Sequence, residues 1–192
     1  MSTSEISIKT LFEKYSNRET KKGTDKVLTH TYGDIYDALF TPRKNTTKNI
    51  LEIGISGGFG LLCYAHYFKN ATIYGIDIED NIQADIKNHH RIKLFFDDAH
   101  KDSLIKSLPS FDIIIEDASH ELRDQITHFV EYSSLVKPNG VYIIEDIDGT
   151  NLDKLVDVLS PFATVKDFDM ALYDGRQYNN RGDDILLIFT KK

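Results

Sequence analysis

The spacing of apolar positions along the chain changes character at residue 49. Before it the spacing is helical. Ile6, Ile8, Leu11, Phe12 and Tyr15 predict a short amphipathic helix within Glu5–Tyr15. His30, Tyr32, Tyr36 and Phe40 recur at intervals of about four until Pro42, which predicts a second helix whose Tyr32, Tyr36 and Phe40 face packs on a sheet. Between them lie the polar stretch Ser16–Lys22 and the tetrapeptide Gly23-Thr24-Asp25-Lys26, whose spacing alone implies no ligand role. From Asn49 onward, short apolar runs alternate with helical patterns. Strands are predicted at Asn49–Ile55, Ala71–Ile78, Arg91–Phe96, Phe111–Asp117 and Val141–Asp146. The intervening helices are Leu61–Phe68, Asp80–Asn88, Lys101–Leu108 closed by Pro109, Leu122–Val136 closed by Lys137-Pro138-Asn139-Gly140, and Asn151–Leu159 stopped by Pro161. The end of the chain differs: Ala163–Tyr173 and Ile185–Thr190 predict two strands joined by polar Gly175–Asp184 without a helix. The expected class is α/β, a mostly parallel doubly wound sheet with an antiparallel C-terminal edge hairpin. Residues 1–45 form an N-terminal helical segment and residues 46–192 the core, in one compact domain.

The first strand carries the strongest local signal. Ile50, Leu51, Ile53 and Ile55 suit a strand buried on both faces of a parallel sheet. Gly54, Gly57, Gly58 and Gly60 then break it before the next helix. Strand, glycine turn and helix together expose backbone N–H groups to a nucleotide-like ligand, and glycine lets that ligand approach without a Cβ in the way. A dinucleotide site shows G-x-G-x-x-G at this place, whereas this chain has Gly54-Ile55-Ser56-Gly57-Gly58, which weakens an NAD reading. Glu52 inside the strand, followed by the looser glycine pattern, resembles instead the first motif of S-adenosylmethionine-dependent methyltransferases.

Composition narrows the classes. Across 192 residues, 41% hydrophobic and 28% charged content is that of a globular domain, and a net charge of −7 argues against a general nucleic-acid binder. The one cysteine, Cys63, excludes a disulfide within the chain and reads as a buried thiol. Met1-Ser-Thr-Ser-Glu-Ile lacks the basic-then-apolar order of a signal peptide, and no apolar run approaches the ~20 residues that span a bilayer. The expected location is the cytoplasm, with no membrane partner.

Acids recur where the strands end, which is where an open α/β sheet binds its ligand. Asp77 follows the glycine turn by about 20 residues, suited to ribose hydroxyls, and Asp98 is suited to an adenine amino group. Asp117 closes the fourth strand with His120 three residues on, and Glu145-Asp146 closes the fifth. Any one of these acids could simply cap the following helix. Three brought together with no Lys or Arg among them would repel, and a hard cation such as Mg²⁺ removes that conflict. His120, beside that site, is the candidate base, since an imidazole ordinarily titrates near ~6.5. His30, His66, His89, His90, His100 and His128 are expected to be surface or packing groups.

Taken together, these residues resemble the metal-dependent O-methyltransferases that act on macrolide sugars, the mycinamicin and macrocin O-methyltransferase type. The resemblance rests on Gly23-Thr-Asp-Lys26 with His30 and Tyr32, Leu51-Glu-Ile-Gly54, Gly75-Ile-Asp77, Phe111-Asp-Ile-Ile-Ile-Glu-Asp-Ala-Ser-His120 and Tyr142-Ile-Ile-Glu-Asp146. It implies a Rossmann-like class I methyltransferase with S-adenosylmethionine and Mg²⁺ as cofactors. By the same resemblance Asp117, Glu145 and Asp146 hold the metal, and His120 is the base beside Asp117. Glu52, Gly54, Ser56, Asp77 and Asp98 line the cofactor site, and Thr24 and Tyr32 close over it. The expected partner is a hydroxyl acceptor that is a small molecule or glycan, with a homodimer as the candidate assembly. Members of the family are generally longer, and Glu116-Asp117-Ala118 stands where they commonly have Asp-Asp-Gly, so the acceptor is left open. Two other classes stay in view. One is an NAD(P)-dependent oxidoreductase or epimerase, which calls for a tighter glycine motif and a Tyr/Lys pair. The other is a module that binds S-adenosylmethionine without catalysis.

Overall fold

The computed structural model describes residues 6–17 and 22–192. Helix α1 (Ile8–Lys14) starts at Ser7, whose hydroxyl accepts from the Thr10 N–H, an ordinary N-cap. A two-residue antiparallel pair, β1 (Ser16–Asn17) and β2 (Lys22–Gly23), leads to α2 (Gly33–Phe40). Asp37 on α2 accepts the first N–H of α1, from Ile8 at 2.8 Å, and so ties the two helices together. The expected first helix is thus trimmed to Ile8–Lys14, and Glu5 lies outside the described residues, as do residues 18–21 of the polar stretch.

The core alternates as its pattern predicts. It runs β3 (Asn49–Ile53), α3 (Phe59–Tyr67), β4 (Thr72–Asp77), α4 (Ala84–Lys87), β5 (Ile92–Phe96), α5 (Asp102–Ile105), β6 (Phe111–Glu116), α6 (Leu122–Tyr132), β7 (Val136–Ile144) and α7 (Leu152–Val165). The last segment is β8 (Phe168–Asp174), a single turn α8 (Arg176–Asn179) and β9 (Ile185–Lys191). The sheet order is β5-β4-β3-β6-β7-β9-β8; β9 pairs antiparallel with both β7 and β8, and the other pairs are parallel. Winding proceeds outward from β3 in one direction and then from β6 in the other. The carboxyl ends of β3 and β6 therefore flank the topological switch point.

Consecutive residues of the central strands feed opposite cores, which is why these strands read as unbroken apolar runs. Ile113 and Ile115 pack with Phe12, Tyr36, Phe40 and Tyr64 under α1–α3, while Ile114 packs with Phe129 and Leu155 under α6 and α7. Several expectations fail: the turn α8 stands between β8 and β9 where no helix is expected, and the helices expected over Asp80–Asn88 and Lys101–Leu108 are the single turns α4 and α5. Helix α7 is not stopped by Pro161 but continues to Val165, so β8 starts only at Phe168. Burial of Leu155, Leu159 and Ala163 on one helical face outweighs the single N–H that proline removes. The segment Lys137–Gly140 is not a closing turn but an irregular start of β7, where the register to β6 shifts and Asn139 takes φ 61°. The helix before it ends at Tyr132 and passes into a 3₁₀ turn, Ser133–Leu135. No helix among the described residues is long and apolar enough to cross a membrane.

Candidate active site

A cavity of about 730 Å³ opens at the carboxyl ends of the central strands, within the range that encloses a small-molecule ligand. Its floor is the glycine turn. Gly54 has φ 81°, and a Cβ there would overlap the carbonyl oxygen of Asp117, so only glycine lets β3 end against β6. Asp77 fastens the turn from the side: one carboxylate oxygen accepts from the N–H groups of Ile55 (2.9 Å) and Ser56 (3.0 Å), the other from Glu79 (3.0 Å). The acid expected to meet a ribose therefore shapes the glycine turn, with both of its oxygens engaged by backbone N–H groups. Thr24, Glu52, Gly54, Ser56, Asp77 and Asp98 all line this one cavity, together with Asp117 and His120. The Thr24 hydroxyl is buried with no hydrogen-bond partner among the described residues.

The strand ladders deliver the acids one residue past their last pairs. Asp117 N–H donates to Ile53 O at 2.8 Å, and Glu145 N–H to Glu116 O at 2.9 Å. The expectation that Asp117, Glu145 and Asp146 meet with no basic side chain among them is not met. Lys26, 2% exposed, projects its ammonium among the acids, 2.7 Å from Glu145 Oε2, 2.9 Å from Asp117 Oδ2 and 3.5 Å from Glu52 Oε1. Tyr36 donates its hydroxyl to the other oxygen of Glu145, and Tyr64 donates to Glu52 Oε1 at 3.3 Å. Both Glu145 oxygens are thus engaged, and Glu145 is absent from the donor atoms that converge as a cation site. A charge set this deep survives only when paired and hydrogen-bonded. Burial pulls the Lys26 ammonium toward its neutral form, but Asp117 and Glu145 overcome that and hold it firmly charged. Burial raises the Glu52 carboxyl to about 7 and Asp117 to about 6, with Lys26 opposing the shift in both.

Asp146 is held separately. It takes φ 52°, an unusual conformation for a side chain-bearing residue. The Tyr32 hydroxyl donates to its Oδ1 at 2.8 Å, and His30 Nε2 lies 3.2 Å from its Oδ2. Tyr32 is fully buried and absent from the cavity lining, so it braces Asp146 and does not close over the cofactor site as expected. Its place at the N-cap of α2, with its ring stacked on His30, is the reason. His30 likewise departs from the surface-or-packing expectation, since it is buried against three carboxylates, Asp25, Asp146 and Asp184. His128 is buried too, its Nδ1 3.1 Å from Glu116 Oε1, and His100 stacks on it in the cavity wall.

Exposed His120, at φ 60°, completes the mouth. One ligating atom each from Asp117, His120 and Asp146 lies within 4.8 Å of the others, and Asp25, His30 and Asp146 form a second such group. Asp117 on the cavity wall, buried Asp146 behind it and exposed His120 offer the oxygen-rich donors that suit Mg²⁺, so the donor chemistry fits the expected cation. Lys26 and His30 escaped sequence reasoning because their spacing carried no signal. The only hint was that both belong to the Gly23–Tyr32 segment on which the family resemblance rests.

Strand order, glycine turn and the closing antiparallel pair together define a Rossmann-like methyltransferase fold. No family model matches the chain. It is 33% identical over 141 residues to demethylmacrocin O-methyltransferase of Streptomyces fradiae (65% of this chain, 35% of that protein). It is 32% identical over 126 residues to mycinamicin VI 2''-O-methyltransferase of Micromonospora griseorubida (62% and 32%). A tetracenomycin-C rhamnosyl 2'-O-methyltransferase of Streptomyces olivaceus is 29% identical over 135 residues (66% and 36%). The chain thus spans about a third of the length of the curated relatives it matches. Among solved structures, the MycE methyltransferase of the mycinamycin biosynthetic pathway, in complex with Mg and SAH, superimposes with a TM-score of 0.74 at 21% identity, covering 99% of this chain and 56% of that one. A caffeoyl-CoA O-methyltransferase-like protein from Staphylococcus aureus gives 0.60 at 16% identity, covering 91% and 95%. The resemblance read from the motifs holds: the relatives by sequence are sugar O-methyltransferases, and the fold is that of MycE.

Proposed function

We propose that this chain transfers a methyl group from S-adenosylmethionine to a hydroxyl of a sugar or sugar-containing small molecule, with Mg²⁺ assisting. The observation that carries this reading is that Asp117 and His120 line a crevice floored by the glycine turn, with a ligating atom of buried Asp146 within 4.8 Å of theirs. Relatives that methylate sugar hydroxyls support the acceptor class. A net charge of −7 favours a small acceptor over nucleic acid.

The protein's contribution is first one of alignment. The glycine turn and Asp77 hold the adenosyl end, and Asp98 stands at the adenine edge. Asp117 and His120, on the cavity wall beyond the glycine turn, would face the methyl-donating end of S-adenosylmethionine. In the transfer the S–CH₃ bond breaks, the O–CH₃ bond forms, and the hydroxyl proton passes to the His120 imidazole. Asp117 and Asp146 would hold the divalent cation, which supplies Lewis-acid polarisation of the acceptor hydroxyl. Lys26 neutralises the deeper acids, Glu52 and Glu145, so that they do not compete for the cation at the rim. Placing two substrates within reach is the largest advantage such a site provides. The expected assembly is a homodimer in the cytoplasm, which light scattering and fractionation would check.

The decisive experiment is thermal shift with S-adenosylhomocysteine and with NAD, each with Mg²⁺ or EDTA, followed by methyl uptake onto rhamnosides and other hydroxylated sugars. Stabilisation by about 2.7 kcal/mol is expected at ~100-fold saturation with S-adenosylhomocysteine. Stabilisation by NAD alone would overturn the proposal.

A further inference from the structure

Asp146 has an unusually complete brace. Its backbone sits at φ 52°, a strained choice that persists only when the surroundings over-determine it. Each of its carboxylate oxygens has its own partner: Tyr32 on Oδ1 at 2.8 Å and His30 on Oδ2 at 3.2 Å. The His30 ring stacks flat on Tyr32 with centroids 4.8 Å apart, so the two partners also fix each other. Behind the ring, His30 Nδ1 makes no hydrogen bond among the described residues but lies 3.5 Å from Oδ1 of Asp184, an ion-pair contact to a carboxylate fully buried on the approach to β9. Asp184 is itself locked by Thr31, whose N–H donates at 3.0 Å and whose hydroxyl donates at 2.6 Å. Asp184, His30 and Asp146 thus form a line running from the approach to the C-terminal strand, through the N-terminal segment, to a carboxylate beside the cavity-lining Asp117 and His120. The exposed carboxylate of Asp25, 3.8 Å from His30 Nε2, is the only other charged group among the described residues that pairs with the ring.

We propose that His30, backed by Asp184, is a positioning residue that orients the Asp146 carboxylate for a divalent cation. This rests on the metal-assisted reading above and deepens it. Groups behind a ligating side chain fix its direction, and losing one typically weakens metal affinity by about 10–100-fold. The imidazole is buried and absent from the cavity lining. Its effect reaches the chemistry only through Asp146.

The test measures Mn²⁺ binding to the full chain by electron paramagnetic resonance, and S-adenosylhomocysteine binding by calorimetry. His30→Leu is expected to raise the Mn²⁺ Kd about 10–100-fold while leaving S-adenosylhomocysteine affinity within about twofold. His30→Gln, which restores an N–H toward Asp146, is expected to recover most of the loss. An unchanged Mn²⁺ Kd in a folded His30→Leu chain overturns the inference. Should His30→Leu fail to fold, Asp184→Asn carries the test: a several-fold rise in Mn²⁺ Kd supports the line, and no change overturns it. A wild-type chain that binds S-adenosylhomocysteine but no Mn²⁺ would overturn the metal reading itself, a different failure from equal Mn²⁺ affinities in wild type and variants.

Discussion

Two regions of opposite character meet at the crevice. The floor, from the end of β3 to the start of α3, is built from backbone: Gly54 and Gly58 at positive φ, and N–H groups of Ile55 and Ser56 tied to Asp77. The layer behind the cavity contributed by Lys26–Tyr32 is built from side chains, with Lys26 on Asp117 and Glu145, and His30 and Tyr32 on Asp146. A backbone floor is specified by local conformation and tolerates change wherever φ and space allow. A side-chain brace in a dry interior is cooperative: remove one charge and the others are left unpaired. Damage to the floor should therefore weaken cofactor binding in proportion, whereas damage to the brace should threaten the fold.

The largest effect is expected where both regions deliver their groups. His120→Ala should lower turnover by about 10²–10⁴ with S-adenosylhomocysteine binding retained, and normal turnover would remove His120 as the base. Next, Lys26→Met leaves Glu52, Asp117 and Glu145 without their cation. A cost of about 3–5 kcal/mol follows, or roughly 10 °C in Tm for a chain of this size. Adding Glu145→Gln should restore part of it, and a melting point unmoved by Lys26→Met would show that the brace carries no stability.

A pH series distinguishes the same deep acids by sign. The Glu52 carboxyl is raised from 4.5 to about 7 by burial, so near pH 6 the folded chain keeps a proton that the unfolded chain has released. Its contribution to stability is complete below about pH 4.5 and is lost as pH rises to about 7. At 1.36 kcal/mol per unit that is at most about 3 kcal/mol. Glu52→Gln should flatten this part of the stability profile, and identical profiles for wild type and variant would contradict the burial argument. Gly54→Ala, on the floor, should cost about 2 kcal/mol, because its Cβ meets the Asp117 carbonyl at a φ that side chains avoid. It should also weaken S-adenosylhomocysteine binding measured by calorimetry. The smallest change, Tyr64→Phe, removes one hydrogen bond to Glu52 and should cost about 1 kcal/mol in a denaturant titration.

Legibility follows the same division. The strands β3 to β6 and the glycine turn could be read because each is announced by residues a few positions apart. Helix α7 could not be bounded at Pro161, because the burial of Ala163 that extends it depends on a core assembled from distant strands. Lys137–Gly140 looked like a turn by composition, yet pairing with β6 drew it into the sheet. Tyr32, Tyr36 and Phe40 were correctly expected as an inner helix face, but not the hydroxyl of Tyr32 on Asp146.

From the chain alone came the doubly wound sheet and the crevice at its strand ends, with Asp77, Asp98, Asp117 and His120 on the lining, all consequences of local periodicity and of acids placed at strand ends. Only the folded molecule decided which acids share a cation. Lys26 meets Asp117 and Glu145 across 91 and 119 positions, and His30 meets Asp184 from near the far end of the chain. Charges so far apart in sequence carry no mark of their pairing; burial brings them together, and it is burial that makes their partners matter.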